Sequence, residues 1–215
     1  VSSLMLAFQK VCDVVAYAHS RGVVHGALSS DCITLGVYGE VMVVNWCGAQ
    51  ILEDGQWTEG AGSHPVLAPP SNVMPALGAF TPPDLIDAGV DQITRAADVY
   101  SLGAILYHIL TLRPPAQAGN EEDLKLQILH SLIPSPLNLI RASLMHWHVS
   151  TIPEVLSGIA MKALQTDPAA RYPSVIALRE AVMAWQTNPA RTVQASTRVR
   201  PQSDFYEANA PCGAF

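Results

Sequence analysis

Charge is scarce in this chain, and positive charge most of all. Of 215 residues only 14% are Asp, Glu, Lys or Arg, the formal net charge is −6, and the lysines are Lys10, Lys125 and Lys162 alone. No basic patch is available to neutralise phosphates, which excludes nucleic acid or an acidic membrane surface as the main partner. Long apolar runs are also missing. Mean hydropathy is positive, yet no stretch approaches the roughly 18 to 20 residues a membrane span requires. Cys12, Cys32, Cys47 and Cys212 show no C-x-x-C spacing, so the expectation is reduced thiols in a cytoplasmic setting rather than a disulfide framework. The only G-x-G, Gly60-Ala61-Gly62, lies in an irregular stretch before Ser63-His64-Pro65 and does not read as a phosphate loop. The chain opens on Val1 with no signal-peptide pattern, which suits a piece excised from something longer.

What is present is a rich apolar content, 49% of residues, enough for the core of one sizeable domain. Leu4, Phe8, Val11, Val15 and Ala18 recur at helical spacing and predict an amphipathic helix over 2–21. Gly22 is a natural left-handed stop, and Val23-Val24 a short apolar strand. After a polar loop, Ile33-Thr34-Leu35 and Val41 to Val44 read as two β segments joined through Gly36-Val37-Tyr38-Gly39, a tight hairpin. Residues 48–83 are rich in Gly, Pro, Ala and Ser and read as one long irregular segment.

Arg95 to Leu112 is the strongest helix, apolar nearly all round apart from Asp98 and His108, and so expected to be buried. A carboxylate in such a helix must be paired to offset its desolvation. Arg113-Pro114-Pro115 ends it. Glu121-Glu122-Asp123 opens a helix to about His130, with acids first as the dipole prefers. Pro134 and Pro136 precede an irregular stretch holding His146-Trp147-His148; Ile152-Pro153-Glu154 then opens a helix to Leu164. Asp167-Pro168 turns the chain, and Ser174 can cap a last helix to about Trp185. Residues 187–215 lose periodicity and read as a tail or linker after a domain at 1–186.

Five of these stretches resemble the protein kinase superfamily, and in particular the C-terminal (large) lobe of a bacterial eukaryotic-like serine/threonine kinase. His25-Gly26-Ala27-Leu28-Ser29-Ser30-Asp31-Cys32 stands where kinases carry H-R-D-L-x-x-x-N, and Asn45-Trp46-Cys47 where they carry D-F-G. The helix D-V-Y-S-L-G, Asp98 to Gly103, resembles the central helix of that lobe. LQTDPAARYPSVIAL resembles its closing motif, and Thr81-Pro82-Pro83-Asp84 its A-P-E. The resemblance implies a mainly α fold: a protein-kinase-like C-terminal lobe with a small β-hairpin at the former active site, the N-terminal lobe absent from this chain. It implies structural roles for His25, Leu28, Trp46, Asp84, Asp98, Gly103 and Arg171, with Asp98 accepting hydrogen bonds from the loop at His25 and Arg171 pairing with Asp84. Trp46 would stack near His25.

The chemistry departs from the family. Ala27 offers a methyl group where the base belongs, Cys32 a soft thiol at one metal position, and Asn45 a neutral amide at the other. Gly26 replaces the arginine that usually receives an activation-segment phosphate, so regulation through Thr58, Ser63, Ser71 or Thr81 is not expected. Ala76-Leu77 stand in place of the usual Gly-Thr. The glycine-rich loop, lysine and glutamate of a small lobe are all missing from the sequence.

The resulting expectation is a catalytically inactive module, a pseudokinase and not an enzyme, with no cofactor and no metal. It would act in protein binding, scaffolding or regulation. Its partner would be another protein, or a second copy, on the apolar surface where a small lobe would sit. One alternative is a kinase large lobe completed by a small lobe elsewhere and retaining ATP; Thr34, polar where an aliphatic side chain usually meets the adenine, weakens it. A second alternative is a Cys32–Cys47 metal or redox site near His25.

Overall fold

The structure, a computed structural model, describes residues 2–53, 56–57, 77–88, 93–139 and 152–187. It is mostly helical with a few small strands. Helix α1 (Ser2–Ser20) leads into β1 (Val23–Val24), followed by the hairpin β2 (Ile33–Leu35) and β3 (Val41–Val43). Two further short strands, β4 (Gln50–Glu53) and β5 (Gln56–Trp57), precede α2 (Pro83–Ala88). The remaining helices are α3 (Arg95–Thr111), α4 (Glu121–Leu129), α5 (Glu154–Ala163) and α6 (Val175–Thr187).

The first helix buries a stripe through Met5, Phe8, Cys12, Val15 and His19, spaced by three or four residues as one helical face demands. The stripe differs from the expected one at its ends: Leu4 is exposed and Ala18 only half-buried, because the face that meets the core runs through Met5 and His19. Gly22 takes φ +75° and turns the chain out of the helix.

Helix α3 is buried along most of its length, with Tyr100, Leu102, Leu106, Tyr107 and Leu110 all shut off from solvent. It lies close against α5: a Cβ added at Gly103 would stand 2.5 Å from Ala163 Cβ. Leu112, at φ +54°, ends α3 in a left-handed cap one residue short of the expected limit. Burial pushes the Tyr107 hydroxyl up to about 12, and that hydroxyl donates to Pro134 O at 2.9 Å.

Local caps fix the peripheral helices. Asn120 Oδ1 accepts from Asp123 N–H at 2.8 Å to start α4. Ser174 Oγ accepts from Ala177 N–H at 3.1 Å to start α6, which runs through Thr187. Arg179 pairs with Asp13 across the α1–α6 surface.

The segment expected to be irregular is not wholly so. Its start pairs as β4 with β1, antiparallel, Val23 opposite Ile51 and Val24 opposite Gln50; β4 pairs in turn with β5, Leu52 opposite Trp57. Strands this short carry no periodicity and form only because β1 supplies a partner from a distant part of the chain. The end of the segment begins α2, whose Pro83 and Asp84 are first-turn residues. Thr58, Ser63, Ser71, the Gly60-Gly62 pair, Ala76, the His146–His148 pair, Cys212 and nearly all of the expected tail lie outside the described residues.

Candidate functional site

The loop between β1 and β2 is held by one buried carboxylate. Asp98, fully shut off from solvent in the first turn of α3, accepts from His25 N–H at 2.9 Å through Oδ2 and from Gly26 N–H at 2.9 Å through Oδ1. Its Oδ2 also lies 2.7 Å from His19 Nε2. Three groups from two other parts of the chain therefore satisfy the carboxylate that the apolar helix would otherwise leave stranded. His19 was not among the residues singled out in the sequence. Its signal was a histidine on the buried face of α1, four residues after Val15.

Gly26 adopts φ +72°, and a Cβ there would meet Ile93 Cδ1 at 3.0 Å and Gly48 O at 3.1 Å. The backbone conformation and the space both require glycine. Leu28 is buried in the main core beneath the loop. Ile93, Val24, Leu85 and Ala97 form a second, smaller cluster that joins β1, α2 and α3.

His25 and Trp46 meet, with ring centroids 4.6 Å apart. His25 Nε2 lies 3.2 Å from Val44 O, Trp46 Nε1 donates to Val43 O at 2.8 Å, and His25 Nδ1 is buried with no partner. Burial holds the His25 imidazole below its usual range, against the opposing pull of Asp98. The ring is therefore neutral at pH 7 and serves as packing and a hydrogen bond.

The three positions read as chemically altered are placed as follows. Ala27 is half-buried against Gly48. Cys32 is buried, its Sγ 3.6 Å from Ala27 O and 3.5 Å from Ser29 Oγ. Asn45 sits in the left-handed region at φ +64°, ψ +48°, which Asn tolerates better than most residues, and its Oδ1 accepts from the exposed Cys47 thiol at 2.8 Å. Cys32 and Cys47 thus have different environments, and among the described residues no three His, Cys, Asp or Glu side chains converge as metal ligands. Asp31 is the exposed carboxylate of this loop. It acts electrostatically on His108, whose imidazole burial holds below its usual range.

A second anchor lies below. Arg171, itself buried, donates from Nη2 to Asp84 Oδ1 at 2.5 Å and to Thr166 O at 3.0 Å. Nε donates to Gln165 O at 2.8 Å and Nη1 to Ala96 O at 2.9 Å. The guanidinium also lies over the Tyr100 ring at 5.1 Å. One side chain so fastens α2, the start of α3 and the turn after α5. Ser101 Oγ donates to Phe80 O at 3.0 Å and fixes the approach to α2.

Above the loop the hairpin is apolar and open. Leu35, Met42 and Val44 are exposed, as are Val37 and Tyr38 at its turn. Lys10 Nζ donates to Gly39 O at 2.7 Å and ties that turn to α1.

The family model described as protein kinase domain matches residues 2–183. The chain belongs to the protein kinase family. Among its relatives, the serine/threonine-protein kinase PknD of Chlamydia trachomatis serovar L2b is 32% identical over 219 residues, covering 94% of this chain and 22% of that protein. PknD of Chlamydia muridarum is 34% identical, covering 85% of this chain and 19% of the relative. PknD of Protochlamydia amoebophila is 29% identical over 81% of this chain. The chain spans about a fifth of the length of these relatives.

Membership in this family corrects the expectation that the chain is not an enzyme. The kinase match runs through nearly all of the described residues, and the relatives are named serine/threonine kinases. The expectation rested on Ala27, Cys32 and Asn45 and on the lack of a glycine-rich loop, a phosphate-binding lysine and its glutamate in this stretch of sequence. Phosphoryl transfer depends largely on positioning and electrostatics, so these departures are too narrow a basis for placing the chain outside a class of enzymes. No helix among the described residues is long and apolar enough to cross a membrane.

Proposed function

We propose that the chain is the large lobe of a serine/threonine protein kinase, completed by a small lobe outside it, and that nucleotide binds between the two at the β2–β3 hairpin. The observation that carries this is the apolar hairpin face. In the hairpin that follows the loop clamped by Asp98, Met42 stands exposed opposite Thr34 on one face with Val44 exposed just beyond it, while Leu35, opposite Val41, is exposed on the other. Apolar side chains grouped beside a rigid polar loop suit a second apolar surface with a flat ligand between. Residues 1–186 form the lobe in this reading and the remainder a linker. A cytoplasmic setting suits the free thiols of Cys12, Cys32 and Cys47.

With Ala27 unable to take a proton, Asp31 is the carboxylate the loop offers to a substrate hydroxyl. The test uses the full reading frame. Purified protein is titrated with ATP and its melting temperature followed, and γ-phosphoryl transfer to a serine/threonine peptide library is measured with and without Asp31→Asn. Saturable stabilisation with transfer lost in the variant supports the proposal. Absence of any nucleotide effect on stability contradicts it.

A second use of this hairpin, favoured by its exposure, is regulation of a partner protein that docks there in place of the small lobe and competes with nucleotide. Met42→Glu would then abolish partner binding without altering the melting temperature.

A further inference from the structure

Kinases as a rule carry their nucleotide with a divalent cation, magnesium, bridging its phosphates and held by hard, charged oxygens of the protein. The residues present at the two metal positions do not fit that ion. Cys32 supplies sulfur, a soft donor, and its thiol is turned into the loop toward Ala27 O and Ser29 Oγ. Asn45 carries no charge, and its amide oxygen already accepts from the Cys47 thiol at 2.8 Å. Among the described residues no three His, Cys, Asp or Glu side chains gather to replace them.

We infer that the nucleoside triphosphate in this cleft is bound free of a divalent cation. The inference rests on the nucleotide-binding reading above and deepens it. An aspartate at position 45 would face the phosphates as a second negative group, and a bridging cation would be needed to hold the two together. The neutral amide removes that repulsion, and with it the need for the cation. The Asn45 amide N–H groups are donors of the kind a bare phosphate oxygen accepts.

Isothermal titration of the full reading frame with ATP, once with excess chelator and once with excess magnesium, tests this. The dissociation constant is expected to be the same in both or weaker with magnesium, whose complex withdraws the free tetra-anion. Tightening by about tenfold or more with magnesium overturns the inference and leaves the nucleotide site standing. Binding in neither condition overturns both.

A reciprocal variant gives an independent readout. Asn45→Asp changes an exposed side chain, and its fold is checked by circular dichroism. It is expected to weaken metal-free binding by about tenfold and to recover affinity when magnesium is added. Metal-free binding unchanged in this variant overturns the inference. Should Asn45→Asp fail to fold, Asn45→Ser is expected to keep binding indifferent to magnesium, and magnesium-dependent binding there counts against it.

Discussion

Asp98→Ala should be the most damaging single truncation in the site. The carboxylate is fully buried and accepts from His25 N–H, Gly26 N–H and the His19 ring. Removing it leaves two buried backbone donors without acceptors, each costing about 1–3 kcal/mol. The loss is then roughly 2–6 kcal/mol before any contribution from His19. In a domain of this size each kcal/mol moves the melting temperature by about 2–4 °C, so a fall on the order of 5–20 °C is expected. Asp98→Asn keeps one acceptor oxygen but turns an amide N–H toward a backbone N–H, and should cost less, about 1–3 kcal/mol. The assay is equilibrium urea unfolding, with hydrogen exchange at the His25 and Gly26 amides as the local readout. Exchange at both should rise in the alanine variant before global unfolding. A stability within about 0.5 kcal/mol of the parent, or unchanged protection of those amides, would refute the clamp.

Other consequences are open to direct measurement. Arg171→Met should cost about 3–5 kcal/mol because it strands Asp84 and three carbonyls; Arg179→Ala, removing the exposed pair with Asp13, should cost about 0–1 kcal/mol by the same urea assay. Gly103→Ala sets a Cβ 2.5 Å from Ala163 Cβ and should destabilise by about 1–3 kcal/mol, with partial rescue by Ala163→Gly. The depressed His25 and His108 imidazoles set a pH dependence. Below the unfolded value of 6.5 the unfolded chain binds protons that the folded chain refuses. Stability should therefore fall as pH drops from 7 toward 5, and His25→Asn should flatten a plot of melting temperature against pH.

The core of this account was legible in the sequence where one residue type contradicted its surroundings. An acid in an apolar helix had to find donors, and Asp98 has three. Gly22 marked a turn that positive φ allows, whereas the positive φ of Gly26 showed only in the structure. The five longer helices were placed within a residue or two because their stops, the Ser174 cap and the proline breaks, are local, whereas α2 was not foreseen. What was not legible depends on distant partners. β4 forms because β1 is there to pair with it, and the buried face of α1 shifts to Met5 and His19 because Asp98 and the core lie on that side. Ile93 shows the same effect, since its place beside Gly26 follows from α2 and α3 meeting β1. Catalytic class was the largest error. It was judged from altered residues at three positions and missing small-lobe motifs, while the family match runs through residues 2–183.

The account's central claim, nucleotide at the hairpin, is tested most directly by ATP affinity in position 34 variants. Thr34 is exposed on β2 opposite Met42, where an adenine ring would lie against it. Thr34→Leu should tighten ATP binding several-fold, at about 0.8 kcal/mol per added buried CH₂, and Thr34→Arg should abolish it with the fold intact. Equal affinities in the parent and both variants would place the nucleotide elsewhere and contradict the account.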